Sequence, residues 1–132
     1  YHVDPTYVEV KFDSRTSVMA TKENCQDAAE KTAHAHGFDF ETPGMIPPHR
    51  VAADSAFVQK LLHAYEHVTG LKGEAMAIGG GTYVHDIKNG VAFGAVLPGI
   101  DTHMHGADEF FDLENIVLAT KVYAEAIIEL CS

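Results

Sequence analysis

The sequence has no tryptophan, only two cysteines, and only nine lysines and arginines against nineteen aspartates and glutamates in 132 residues. The shortage of positive charge leaves a formal net charge of -10. Such a field repels a phosphate backbone and offers no basic stripe for one to follow, so nucleic acid and anionic membrane surfaces are not expected partners. No apolar run approaches the roughly 20 residues of a spanning helix. Tyr1 opens into polar sequence without a charged-then-apolar leader, and a cytoplasmic location is expected. Cys25 and Cys131 lie far apart with no paired metal spacing, so a disulfide framework or zinc knuckle has no support. What is plentiful is histidine: nine residues, equal to the whole Lys and Arg count.

Hydrophobic patterning predicts a mixed α/β chain. Tyr7 to Arg15 alternate, with Val8, Val10 and Phe12 on one face, which predicts a half-buried strand. Thr21 can cap a short helix with Cys25, Ala28, Ala29 and Thr32 on one side, and Gly37 can stop it. Pro43, Gly44, Pro47 and Pro48 forbid regular pairing and mark a connector. Beyond Asp54, residues Phe57, Val58, Leu61, Leu62, Tyr65 and Val68 recur at helical spacing up to Gly70. Val91 to Leu97 reads as a buried strand, and Asp112 can cap a final helix with an apolar stripe from Leu113 to Cys131 that needs a sheet to pack on.

Three places could carry chemistry. The stretch from Asp101 to Glu109, DTHMHGADE, follows the second predicted strand, where loops expose functional groups. There His103 or His105 could ligate a metal while Asp101 or Glu109 holds the other ring nitrogen; a solvated polar loop is the plain alternative. Gly79, Gly80, Gly81 and Thr82 could bring bare main-chain N–H groups to an anionic ligand, or simply turn the chain. Arg15 could grip a carboxylate bidentately or make an ordinary surface ion pair. His63 and His67 have a chelating spacing of four on a helix, but they fall on its polar face without the glutamate of a zincin.

The order of these pieces resembles the C-terminal part of metallopeptidase family M20, in the branch of broad-range and Xaa-His dipeptidases. Arg15, the proline connector, GGGTY, VAFGAVLPG, DTHMHGADE and a last helix ending YAEAIIEL occur in the family's order across essentially the whole chain. The resemblance implies a two-zinc hydrolase with an α/β catalytic domain and an inserted α+β lid. Residues 1–47 would be the second half of the lid and 48–132 the returning end of the catalytic domain. His105 matches the family's C-terminal metal ligand, Arg15 its binder of the substrate carboxylate, and Gly79 to Thr82 its substrate-facing loop. Glu109 would orient its neighbours. Arg15 sits in DSRT, a different setting from the branch's usual one, and Val84-His85 replaces alanine-arginine.

The resemblance further implies two divalent ions, zinc first and manganese or cobalt as alternatives, with one ligand from this chain. The family's HxD and paired-glutamate motifs would lie upstream of the matched region; no Glu-Glu pair occurs here, and the one His-x-Asp triplet, His2-Val3-Asp4, falls in the stretch matched to the lid. The chain is therefore expected to be part of a longer enzyme, to be inactive alone, and to have a small peptide and the remainder of that enzyme as partners. A non-catalytic α/β module or an inactive homologue is the competing reading.

Overall fold

A computed structural model describes residues 2–3, 6–94 and 96–132. The chain forms two compact units, Tyr1–His49 and Arg50–Ser132.

In the first unit β1 (His2–Val3) pairs antiparallel with β2 (Val8–Glu9), in the register His2 to Glu9 and Val3 to Val8. The strand expected over Tyr7 to Arg15 is thus confined to two residues. Its alternating side chains, Val8, Val10 and Phe12, are 50%, 59% and 69% exposed. Alternation encodes a face, but a ladder needs main-chain partners, and none reaches residues 10–17 among the described residues. The expected Thr21 cap forms as a reciprocal box. The Thr21 hydroxyl accepts from the Asn24 amide at 3.2 Å, and Asn24 Oδ1 accepts from the Thr21 amide at 2.7 Å. One wide turn, Lys22–Gln26, leads into α1 (Asp27–Ala35). Gly37, at φ +77°, ends it: Gly37 N–H donates to His34 O and Phe38 N–H to Ala33 O, the paired bonds that satisfy a helix's last carbonyls.

The second unit is a helix pair. α2 (Ala56–Thr69) starts at Ser55, whose hydroxyl accepts from the Val58 amide, and ends at Gly70, φ +68°. α3 (Leu113–Cys131) starts at Asp112, whose Oδ1 accepts from the Asn115 amide at 2.8 Å. The helices meet at Leu61, Ala64 and Ala126, with Val91 and Phe93 packed on them. Ala64 is fully buried, so the small side chain sets how closely the helices approach.

Of the strand expected over Val91 to Leu97, no described residue pairs into a sheet; Val91 and Phe93 pack on the helices, and Ala95 lies outside the described residues. Phe93 holds this stretch to α3, accepting from the Tyr123 hydroxyl at 3.1 Å and meeting that ring edge-on at 5.9 Å. With no sheet packed on it among the described residues, α3 leaves most of its stripe uncovered: Leu113 is 78% exposed and Ile127 63%. The accessible surface, 10577 Å², exceeds the roughly 8,000 Å² that two separate compact domains of these sizes would expose. The described chain is therefore helix-rich, with one two-stranded sheet. No described helix is long and apolar enough to cross a membrane.

Candidate functional site

The histidine loop is built by its own main chain. Gly99, φ +82°, turns the chain after Pro98, and buried Thr102 closes the loop by accepting the Phe110 amide at 3.1 Å. Within this frame Asp101 Oδ1 accepts from the His103 amide at 2.9 Å, a side-chain turn that aspartate makes readily. Gly106 N–H donates to His103 O at 2.7 Å. A Cβ on Gly106 would sit 2.9 Å from that carbonyl oxygen, so only glycine fits without a shift.

Three non-glycine residues of this loop adopt left-handed backbone: His103 at +53°, His105 at +63° and Asp108 at +57°. Each costs about 1–2 kcal/mol relative to ordinary conformations, and such strain concentrates where side chains are held for a task. The two histidines then diverge. The His103 ring lies edge-on to Phe110 at 5.5 Å. His105 is held through its amide, which donates to Glu109 Oε2 at 3.3 Å. Glu109 thus meets His105, as the spacing of four suggests, but through the main chain and not the ring. Among the described residues the His105 imidazole has no hydrogen-bond or ion-pair partner.

Gly79, Gly80 and Gly81 lie outside regular structure; a Cβ on any of them meets nothing within 4 Å, and none has positive φ. Neither steric crowding within the chain nor backbone conformation therefore requires glycine there. Thr82 caps the short helical turn Tyr83–Asp86, accepting from the Val84 amide at 3.4 Å. His85 folds back on the same residue, its Nδ1 3.1 Å from Thr82 O, a local role that the sequence does not advertise.

Arg15 belongs to the first unit and His105 to the second. The Arg15 Nε lies 3.0 Å from Asp13 Oδ1 in an exposed ion pair. Such pairs contribute little and release their guanidinium readily. His63 and His67 are each paired with a glutamate of α3. Both cysteines are free thiols, Cys25 partly covered and Cys131 exposed. Among the described residues no group of three or more His, Cys, Asp or Glu is placed to hold a metal ion.

The family model of peptidase family M20/M25/M40 matches residues 2–129. Relatives named "Putative dipeptidase" align with most of the chain. One from Staphylococcus haemolyticus is 42% identical over 76% of this chain and 22% of its own length. One from Bacillus subtilis is 34% identical over 92% and 26%, and one from Staphylococcus aureus is 37% identical over 83% and 23%. The chain spans about a quarter of the length of these relatives. No solved structure matches it.

Proposed function

The chain belongs to peptidase family M20/M25/M40, and on that premise we infer that it is the C-terminal part of a metal-dependent dipeptidase acting on dipeptides or related N-acyl amino acids. The observation that carries this reading is His105: a strained residue whose main chain is tied to Glu109 and whose ring no described neighbour engages. A neutral imidazole so held suits one vertex of a zinc-type ion. The other ligands would come from the rest of the enzyme, since the described residues hold no group of three. When bound, a pair of divalent ions supplies polarisation of the scissile carbonyl and an acidified water.

The remaining roles fall to this chain's own groups. Residues 1–47 form the second half of a lid and 48–132 the end of the catalytic domain. Arg15 leaves its exposed partner Asp13 and binds the free carboxylate of the substrate, so that binding energy remote from the amide positions the reacting bond. Gly79, Gly80, Gly81 and Thr82 offer main chain to the substrate, which gives a reason for glycines that nothing inside the chain requires. Glu109 fixes the main chain of His105. The exposed apolar stripe of α3 and the excess accessible surface support further polypeptide packing on this chain. The location proposed for the enzyme is the cytoplasm.

The test is metal content and dipeptide hydrolysis of the full-length protein. Two equivalents of metal are expected, with hydrolysis lost in His105→Ala; retained hydrolysis would remove His105 from the mechanism. Absence of both metal and hydrolysis in the unaltered protein would favour an inactive homologue or a binding module.

A further inference from the structure

The loop that carries His105 also holds an aspartate and a second histidine, and the proposed hydrolysis gives neither a part. Asp101 Oδ1 accepts from the His103 amide at 2.9 Å, and His103 O accepts from the Gly106 amide at 2.7 Å. His103 is thus held through its main chain on both sides. The second bond closes a four-residue turn from His103 to Gly106, in which His105 takes the third place at φ +63° and Met104, the second, is not left-handed. That is the pattern of a type II turn, where the closing bond and the left-handed backbone of the third residue form together. The first bond is the turn that an aspartate side chain makes with the amide two residues on, and it fixes where the next turn begins.

The ring of His103 is engaged elsewhere. It lies edge-on to Phe110, with centroids 5.5 Å apart, and the Phe110 amide donates to the carbonyl of buried Thr102 at 3.1 Å. One imidazole is therefore packed against the base of the loop, while the other rides on a turn whose start the first residue anchors.

We propose that Asp101 and His103 are positioning residues for His105. Asp101 fixes the amide of His103, His103 O closes the turn, and the turn holds His105 in the left-handed backbone from which its imidazole is presented to a zinc-type ion. This rests on His105 being a metal ligand, and it gives His103 no place among the ligands. The physical gain is preorganisation: a ligand whose main chain is already fixed gives up less freedom on binding the ion. Released from the turn, His105 would relax to ordinary backbone and redirect its Cβ, because left-handed backbone is unfavourable for a residue with a side chain.

The experiment measures Zn²⁺ affinity of metal-stripped full-length protein by competition with a chelating dye, together with the thermal midpoint of the stripped protein. His105→Ala marks the zinc equivalent concerned. Asp101→Ala should bind that equivalent about 10–100-fold more weakly at an unchanged midpoint. Asp101→Asn keeps a side-chain oxygen for the His103 amide and should recover most of the affinity. His103→Asn removes the imidazole but tolerates left-handed backbone, and should bind nearly as the unaltered protein does; His103→Val, branched at Cβ, should lose affinity as Asp101→Ala does. Full affinity in Asp101→Ala, an equal loss in Asp101→Asn, a midpoint that falls in step with affinity, or loss of the equivalent in His103→Asn would each overturn the positioning role while leaving His105 a ligand. An equivalent still present in His105→Ala would instead remove His105 from the ligands, and the positioning role with it.

Discussion

The amide of His105 donates to the Glu109 carboxylate at 3.3 Å, while His105 itself sits at φ +63°. One acid thereby restrains a main chain that would relax toward ordinary conformations if released. Glu109→Ala removes a hydrogen bond to a charged acceptor, of about 1.5–3 kcal/mol before discounting for exposure. Glu109→Gln keeps an acceptor there. We expect the alanine variant to lose metal affinity and the glutamine variant to retain most of it, as read by competition with a chelating dye. Equal loss in both would show that the negative charge matters and the main-chain bond does not.

Glycines in the second unit separate structural from functional need. Gly106→Ala forces a Cβ within 2.9 Å of His103 O and should lower the thermal midpoint along with activity. Gly80→Ala enters open space and should leave stability within about 0.5 kcal/mol. If Gly80 faces substrate, its alanine variant raises KM at unchanged stability; unchanged KM would return that loop to a plain connector.

Arg15 is proposed to read the carboxylate of the substrate. Arg15→Lys keeps the charge and loses the fork, so KM for a dipeptide should rise about 10- to 100-fold. Hydrolysis of the same dipeptide as its C-terminal amide should change far less. A parallel loss on both substrates would place Arg15 outside substrate recognition.

Ala64 is fully buried at the contact of α2 with α3. Ala64→Leu overpacks that contact and should destabilise the second unit by about 1–3 kcal/mol, measured by urea unfolding of the full-length protein. Ala53→Leu, at an exposed position before α2, serves as the control and should be nearly silent.

The start of α1 responds to pH from both sides. The Thr21 hydroxyl, with the main-chain amide of Glu23 second, holds the Glu23 carboxyl below its ordinary 4.5. A depressed carboxylate stabilises above 4.5 and loses that contribution as pH falls through the lowered value. Asp27, by hydrogen bond and then by charge, raises Lys22 above its ordinary 10.5, and this contribution is lost as pH rises past the raised value. Protection of the amides of residues 27–35, taken relative to their intrinsic exchange at each pH, should therefore fall at both extremes, and Thr21→Val should blunt only the acid limb. An unchanged acid limb in that variant would discard the Thr21 contribution.

The sequence by itself determined the helices and their ends. Thr21, Gly37, Gly70 and Asp112 act within a few residues of where they stand, and a helix satisfies its own main chain, so periodicity and caps suffice to place α1, α2 and α3. It also carried the family order of motifs, and the four-residue spacing that brings Glu109 to His105. Tertiary structure decided what depends on distant partners. The alternation of Val8, Val10 and Phe12 marks a strand's face, yet only two residues pair, because ladder bonds must be supplied by another segment. His103, His105 and Asp108 are of types that tolerate left-handed backbone, but type alone does not say which residues of the loop adopt it. The same holds for His63 and His67: four apart on α2 in any reading, they acquire carboxylate partners only when α3 folds back along them.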